Sequence, residues 1–293
     1  MKVSTLFSGM ACAFALAACA PTATDTDTGS AVSGDATSAL DVQIHDGEFA
    51  TIQQFVTPGG VSVWLVEEPS IPILSLRMAW QSGSANDPEG MEGLTSAMVY
   101  HMNEGAGELD AQAFSKRMEE LSMSFGCSAS NESTFCNASM LTDNASDSFD
   151  VISLALAEPR FDDGPFERFK REREVALKTR ETNAGYLAGR AIQESLYPDH
   201  AYARELTSES LTALTQDAMR AQKDKLIVQD GLLVTAVGAM SAEALAPLID
   251  QAIAGLPQSS ETVETDNVVL AAANPEKQII DLPQPQSLVR FTG

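Results

Sequence analysis

Residues 57–94 read TPGGVSVWLVEEPSIPILSLRMAWQSGSANDPEGMEGL, and this stretch decides the architecture. Pro58-Gly59-Gly60 is a turn signal. It is followed by Val61, Val63 and Leu65 in strict alternation, which reads as a strand with one face buried. Upstream, Gln54-Phe55-Val56 supplies the strand that the turn reverses. Downstream, residues 71–80 carry a third strand that runs out into a polar turn, and Pro88-Glu89-Gly90 leads into a helix opening at Gly93-Leu94. Strand, turn, strand, strand, then helix implies a sheet whose apolar face is covered by helices.

The rest of the chain continues in the same style. The spacing predicts helices over 111–121 (Phe114, Met118, Leu121 on one face) and 146–157 (Phe149, Ile152, Leu156). A long helical stretch over 166–197 is broken near Thr182-Asn183-Ala184-Gly185. Two short helices follow over 208–214 and 216–225. GLLVTAVGAM (231–240) is a buried strand, and 242–254 a helix stopped by Gly255-Leu256-Pro257. The expected class is α+β, with a mixed, largely antiparallel sheet covered by helices. The domain occupies 40–257 and 258–276 is a linker of little pattern. The stretch 277–293 reads as the opening strand or two of a truncated second domain.

The chain has 293 residues, 44% of them hydrophobic, and a formal net charge of −23. That surface repels phosphate backbones, so nucleic-acid binding is not expected. It favours solubility, and it would also attract basic peptides.

The N-terminus addresses the chain to the cell envelope. Lys2 precedes a small, apolar run over 3–18 that is too short for a membrane span. The run ends in Leu16-Ala17-Ala18-Cys19, which resembles the bacterial lipobox. The expectation is a signal peptide over 1–18 and lipid attachment at Cys19; the alternative is an ordinary signal peptide with an incidental cysteine. Ala20 in place of Asp points to the outer membrane, facing the periplasm. Residues 20–39 lack aromatics and are rich in Thr, Ser, Asp and Gly, the composition of a disordered tether.

In that compartment Cys127 and Cys136 form a natural pair. They flank a turn at Asn131-Glu132. Counting outward from Ser130 opposite Ser133 places them directly opposed, at a non-hydrogen-bonded position where side chains are closest. A cross-strand disulfide is expected; two free buried thiols are the alternative.

In order and spacing, four stretches together resemble the pitrilysin/insulinase metallopeptidases, which include the mitochondrial processing peptidase. They are residues 57–94, FKREREVAL (169–177), LYPDHAYARELTSESLTALT (196–215) and LLVTAVGAMSAEAL (232–245). The resemblance implies one half of a clamshell that encloses a peptide. It also implies zinc, bound by H-x-x-E-H on the helix after Gly-Leu and by a further Glu on the long helix. Here the match fails. Aligning Gly93 and Gly105 with the bracketing glycines puts His, Glu and His on Ser96, Val99 and Tyr100; a slip of one gives Ala97, Tyr100 and His101. The distal Glu position falls on Thr179. Only His45, His101 and His200 exist in the whole chain, so no two histidines stand four apart. His101 with Glu104 reads as a partly exposed residue near the helix end, His200 as a satisfied loop residue, and Glu172 and Glu174 as part of a solvated charged face.

No zinc or other cofactor and no catalytic residue are therefore expected. The leading expectation is a non-catalytic, peptide-binding subunit that partners a zinc-bearing homologue as a hetero-oligomer and touches the membrane only through its lipid. The alternatives are a stand-alone peptide-binding scaffold and an active zinc endopeptidase with an unrecognised site.

Overall fold

The computed structural model describes residues 40–198, 200–261 and 277–291. The expected signal peptide, Cys19 and the tether, and most of the linker (262–276), lie outside the described residues.

In chain order the elements are β1 (Gln43–Asp46), β2 (Thr51–Val56), β3 (Ser62–Glu67), β4 (Ile73–Trp80), α1 (Leu94–His101), β5 (Gly105–Ala106), β6 (Leu109–Asp110), α2 (Ala111–Glu120), β7 (Ser124–Ala129), β8 (Thr134–Leu141), α3 (Ala145–Ala157), α4 (Asp163–Arg180), α5 (Ala184–Leu196), α6 (Ser208–Ala213), α7 (Gln216–Leu226), β9 (Leu233–Gly238) and α8 (Ala242–Ile253). Seven strands form one sheet in the order β1-β2-β3-β9-β4-β8-β7. All pairings are antiparallel except β3 with β9. β9, the last of the described strands, slots between β3 and β4 and ties the two together. β5 and β6 make a separate two-stranded hairpin.

The period-two pattern sorts the two faces. Val63, Leu65, Leu74, Leu76, Met78, Trp80, Cys136, Ala138, Met140, Val234 and Ala236 turn inward to the core. There they meet helix residues such as Phe114, Phe149, Ile152 and Leu245. Full burial of each large side chain contributes about 1.5–3 kcal/mol. The alternate positions, among them Ser75, Arg77, Asn137, Thr235 and Val237, are exposed. The helices thus cover one face of the sheet among the described residues.

Two elements were not legible in the pattern. β1, QIHD, is an edge strand with every residue exposed, so it carries no hydrophobic alternation. The Gly105–Gly107 stretch reads as a turn but contains β5, whose two residues pair with β6. In 277–291 no strand forms. These residues have no neighbouring strand to pair with, and Leu288 and Arg290 instead run beside Gly185 and Gly189 of α5.

The disulfide is present. Cys127 and Cys136 stand opposite each other in the β7–β8 register, with Cα atoms 4.1 Å apart and their sulfurs joined. Ser130 N donates to Ser133 O at 2.8 Å, which closes the hairpin in the register the count requires. Cross-linking the strand beside α1 restricts the unfolded chain and fixes the sheet edge.

Candidate functional site at the α1 helix

α1 is set in place at both ends. Gly93 precedes it with φ 92°, in the left-handed region. That conformation demands glycine, and a Cβ there would come 2.7 Å from Leu206 Cδ1, so the leucine side chain would also have to shift. Gly93 has no side chain with which to cap the helix, and Asp87 takes that role from six residues upstream. Its Oδ2 accepts from Gly93 N at 2.9 Å. Its Oδ1 accepts from Thr95 N at 2.9 Å and from Thr95 Oγ1 at 2.5 Å. Gln222 of α7 donates to Thr95 Oγ1 at 2.9 Å and lies 3.4 Å from Asp87 Oδ1. Arg204 donates to the main-chain carbonyls of Asp87 and Ala85, both at 3.0 Å. Asp87 is 4% exposed. Burial pushes its pKa up, against the lowering pull of Thr95, Gly93 and Arg204. None of Asp87, Gln222 and Arg204 was found by sequence reasoning. The only signal was an acid before Pro88-Glu89-Gly90, and turn composition alone explains that.

At the far end, Glu104 pairs with Arg168 of α4 at 2.6 Å. The bond to Glu104, and then one to the Tyr100 phenol, holds the Arg168 guanidinium more firmly protonated. Glu104 thus faces Arg168.

The positions expected to be degenerate fall in different surroundings. Ser96 is exposed. Val99, at 5% exposure, belongs to the core. Tyr100, half-buried, packs its ring 5.2 Å from Phe169 of α4 and 5.1 Å from His101. Thr179 is exposed on α4 and bonds back to Val175 O of its own helix at 3.0 Å. Ala97, the slipped position, is buried. Ser96 and Tyr100 share one helix face by their four-residue spacing, while Val99 points to the core.

His101 corrects the expectation of partial exposure: it is fully buried. The helix does not fray there. Met102 is also buried, and Phe161, Phe166 and Phe169 close over the ring at centroid distances of 6.5, 5.7 and 5.3 Å. The spacing of those three phenylalanines was the available sequence signal. His200 is a satisfied loop residue, accepting from Tyr202 N at 3.1 Å. His45 lies on β1, exposed. Glu172 and Glu174 are exposed, and Glu174 pairs with Lys178 at 3.0 Å.

Structural zinc takes four N, S or carboxylate donors, and catalytic zinc takes three plus water. Among the described residues no three His, Cys, Asp or Glu side chains are grouped to hold a metal ion. A hydroxyl, an isopropyl group, a phenol and a second hydroxyl do not fit zinc.

Against known proteins, the model of the insulinase family, peptidase family M16, matches residues 62–210, just over half of the chain. The chain belongs to peptidase family M16. The match takes in most of 57–94, all of 169–177 and most of 196–215, three of the four stretches that carry the resemblance in sequence; the fourth, 232–245, lies beyond it. Among curated proteins, the "Non-peptidase homolog YmxG" of Helicobacter pylori is 23% identical over 211 residues, covering 71% of this chain and 49% of that protein. Among solved structures, the peptidase M16 inactive domain from Pseudomonas fluorescens superposes with a TM-score of 0.69 at 22% identity, covering 74% of this chain and 54% of that one. The periplasmic protease PqqL from Escherichia coli gives a TM-score of 0.67 at 18% identity, covering 80% and 26%. The M16 chain described here therefore spans about half the length of the first two relatives, and the likeness to solved structures establishes the fold.

Proposed function

We propose that this chain is a non-catalytic M16 protein of the cell envelope that binds peptides as the partner of a zinc-bearing homologue. The observation that carries this is the composition of α1. Where the family chemistry needs two imidazoles and a carboxylate, the helix has Ser96, Val99 and Tyr100, and Val99 is in the core. Without a bound, acidified water and a base, peptide hydrolysis has no supplied nucleophile. The names of two relatives, a non-peptidase homolog and an inactive domain, agree with this reading.

What remains is a surface. Among the described residues β7 is an edge of the sheet, with β8 as its strand neighbour. An extended peptide can add to such an edge through main-chain hydrogen bonds, with no metal. The proposed membrane attachment is through lipid on Cys19, with the chain facing the periplasm from the outer membrane and no zinc of its own.

The test is reconstitution. The chain is co-purified with an M16 homologue from the same cell that carries an intact H-x-x-E-H, and cleavage of a peptide library is measured with and without it. The expected result is a stable complex whose cleavage rate or peptide selectivity differs at least several-fold from the homologue alone. Identical cleavage and no complex would overturn the partner reading.

A further inference from the structure

His101 is a buried titratable group for which the proposed function has no use. Its Nδ1 lies 2.7 Å from the carbonyl of Ala97. A nitrogen facing a carbonyl must donate, so the neutral ring carries its proton on Nδ1 and its lone pair on Nε2. Nε2 is buried and makes no hydrogen bond, while the Pro165 carbonyl lies near enough to the ring to favour its charged form. The walls are rings: Tyr100 from α1, Phe161 from the segment before α4, and Phe166 and Phe169 from α4.

The charges around this pocket are already committed. Glu104 is paired with Arg168 of α4. Lys170 and Arg173 lie over the outer faces of Phe166 and Phe169, at 4.5 and 4.9 Å from the ring centroids. Arg160 is bonded to Asp162 and to Gly107 O. On α7, which also packs on α1, Lys223 is bonded to Ala157 O and paired with Asp224. Arg220 of α7 lies 5.7 Å from the Phe161 ring centroid and is itself bonded to Asp217 and Arg160 O. Among the described residues no carboxylate is left over for an imidazolium, and the three phenylalanine rings already carry three cations.

We propose that His101 is an acid-operated latch between α1 and α4: neutral, it seals the aromatic cluster, and protonated at Nε2 it releases the first turns of α4. Burial lowers the His101 pKa, and the Arg168 charge pushes the same way. The carbonyls of Ala97 and Pro165 and the Glu104 carboxylate oppose them without winning. A lowered folded pKa means that the unfolded chain takes the proton first. The latch's contribution is therefore present above about pH 6.5, the ordinary histidine value, and is lost as pH falls through the folded pKa.

The test compares the full chain with His101→Phe, which fills the apolar pocket and cannot titrate. Urea unfolding between pH 8 and 5 should show the wild-type folding constant falling by up to tenfold per pH unit below about pH 6.5. The variant should lack that component. His45 and His200 are present in both proteins, so the comparison isolates His101. Hydrogen exchange at residues 163–170 of the wild type should accelerate over the same interval. Should His101→Phe fail to fold, NMR titration of the His101 ring in the wild type decides alone. A ring that protonates below its ordinary value together with loss of α4 protection supports the latch. Equal pH profiles, or a ring that protonates with α4 protection intact, would overturn it.

Discussion

Asp87→Ala is expected to destabilise the folded chain by about 3 kcal/mol or more, since each buried polar group left unsatisfied costs about 1–3 kcal/mol. The substitution strands the amides of Gly93 and Thr95 and the Thr95 hydroxyl proton. It also removes a negative charge from the N-terminus of α1, where the helix dipole favours one. Urea unfolding measures the loss, and a cost below about 1 kcal/mol would show that Asp87 does not anchor α1. Asp87→Asn keeps one acceptor and should cost less. It also separates packing from charge. Burial raises the Asp87 pKa from its ordinary 3.8, so the folded state holds that proton more tightly than the unfolded state. The stability tied to protonation is complete below about pH 3.8 and is lost as pH rises through the folded value. The gap between wild type and Asp87→Asn should therefore widen as pH falls from 7 toward 4.

The second large effect is expected at Val99. Restoring the acidic residue of the family motif, Val99→Glu, should cost about 3–5 kcal/mol, the range for an uncompensated buried charge. Val99 is 5% exposed and packed in the core, and no cation among the described residues is paired at that position. The glutamate would either stay neutral with an upward-shifted pKa or open the packing of α1. Ser96→His provides the contrast, because Ser96 is exposed and a surface substitution there should stay within about 0.5 kcal/mol. Equal costs for the two variants, read by thermal or urea unfolding, would contradict the view that this helix has been rebuilt for packing.

The fold was legible because burial is periodic. Val61, Val63 and Leu65 alternate, and the Pro58-Gly59-Gly60 turn fixes where the alternation restarts. Cys127 and Cys136 were placed by counting from a two-residue turn. The same logic missed β1, whose four residues are all exposed and so carry no alternation. The candidate site was legible only in its chemistry. That Ser96, Val99, Tyr100 and Thr179 are poor metal donors follows from their identity. That Val99 is inside, Ser96 outside and Tyr100 against Phe169 depends on where α4 lands. The burial of His101 was missed because Gly105 after it signals a helix end, whereas the covering residues Phe161, Phe166 and Phe169 come from sixty or more positions downstream. Asp87, Gln222 and Arg204 are likewise brought together by tertiary structure from positions more than a hundred apart, beyond the reach of any local pattern.

The composition of α1 implies that this helix and its surroundings hold no zinc. This is tested most directly by elemental analysis of the full-length protein, purified without chelator and dialysed against micromolar zinc, together with a peptide-cleavage assay. The prediction is well below a tenth of an equivalent of zinc and no cleavage that a chelator abolishes. One equivalent of tightly held zinc with chelator-sensitive cleavage would contradict it.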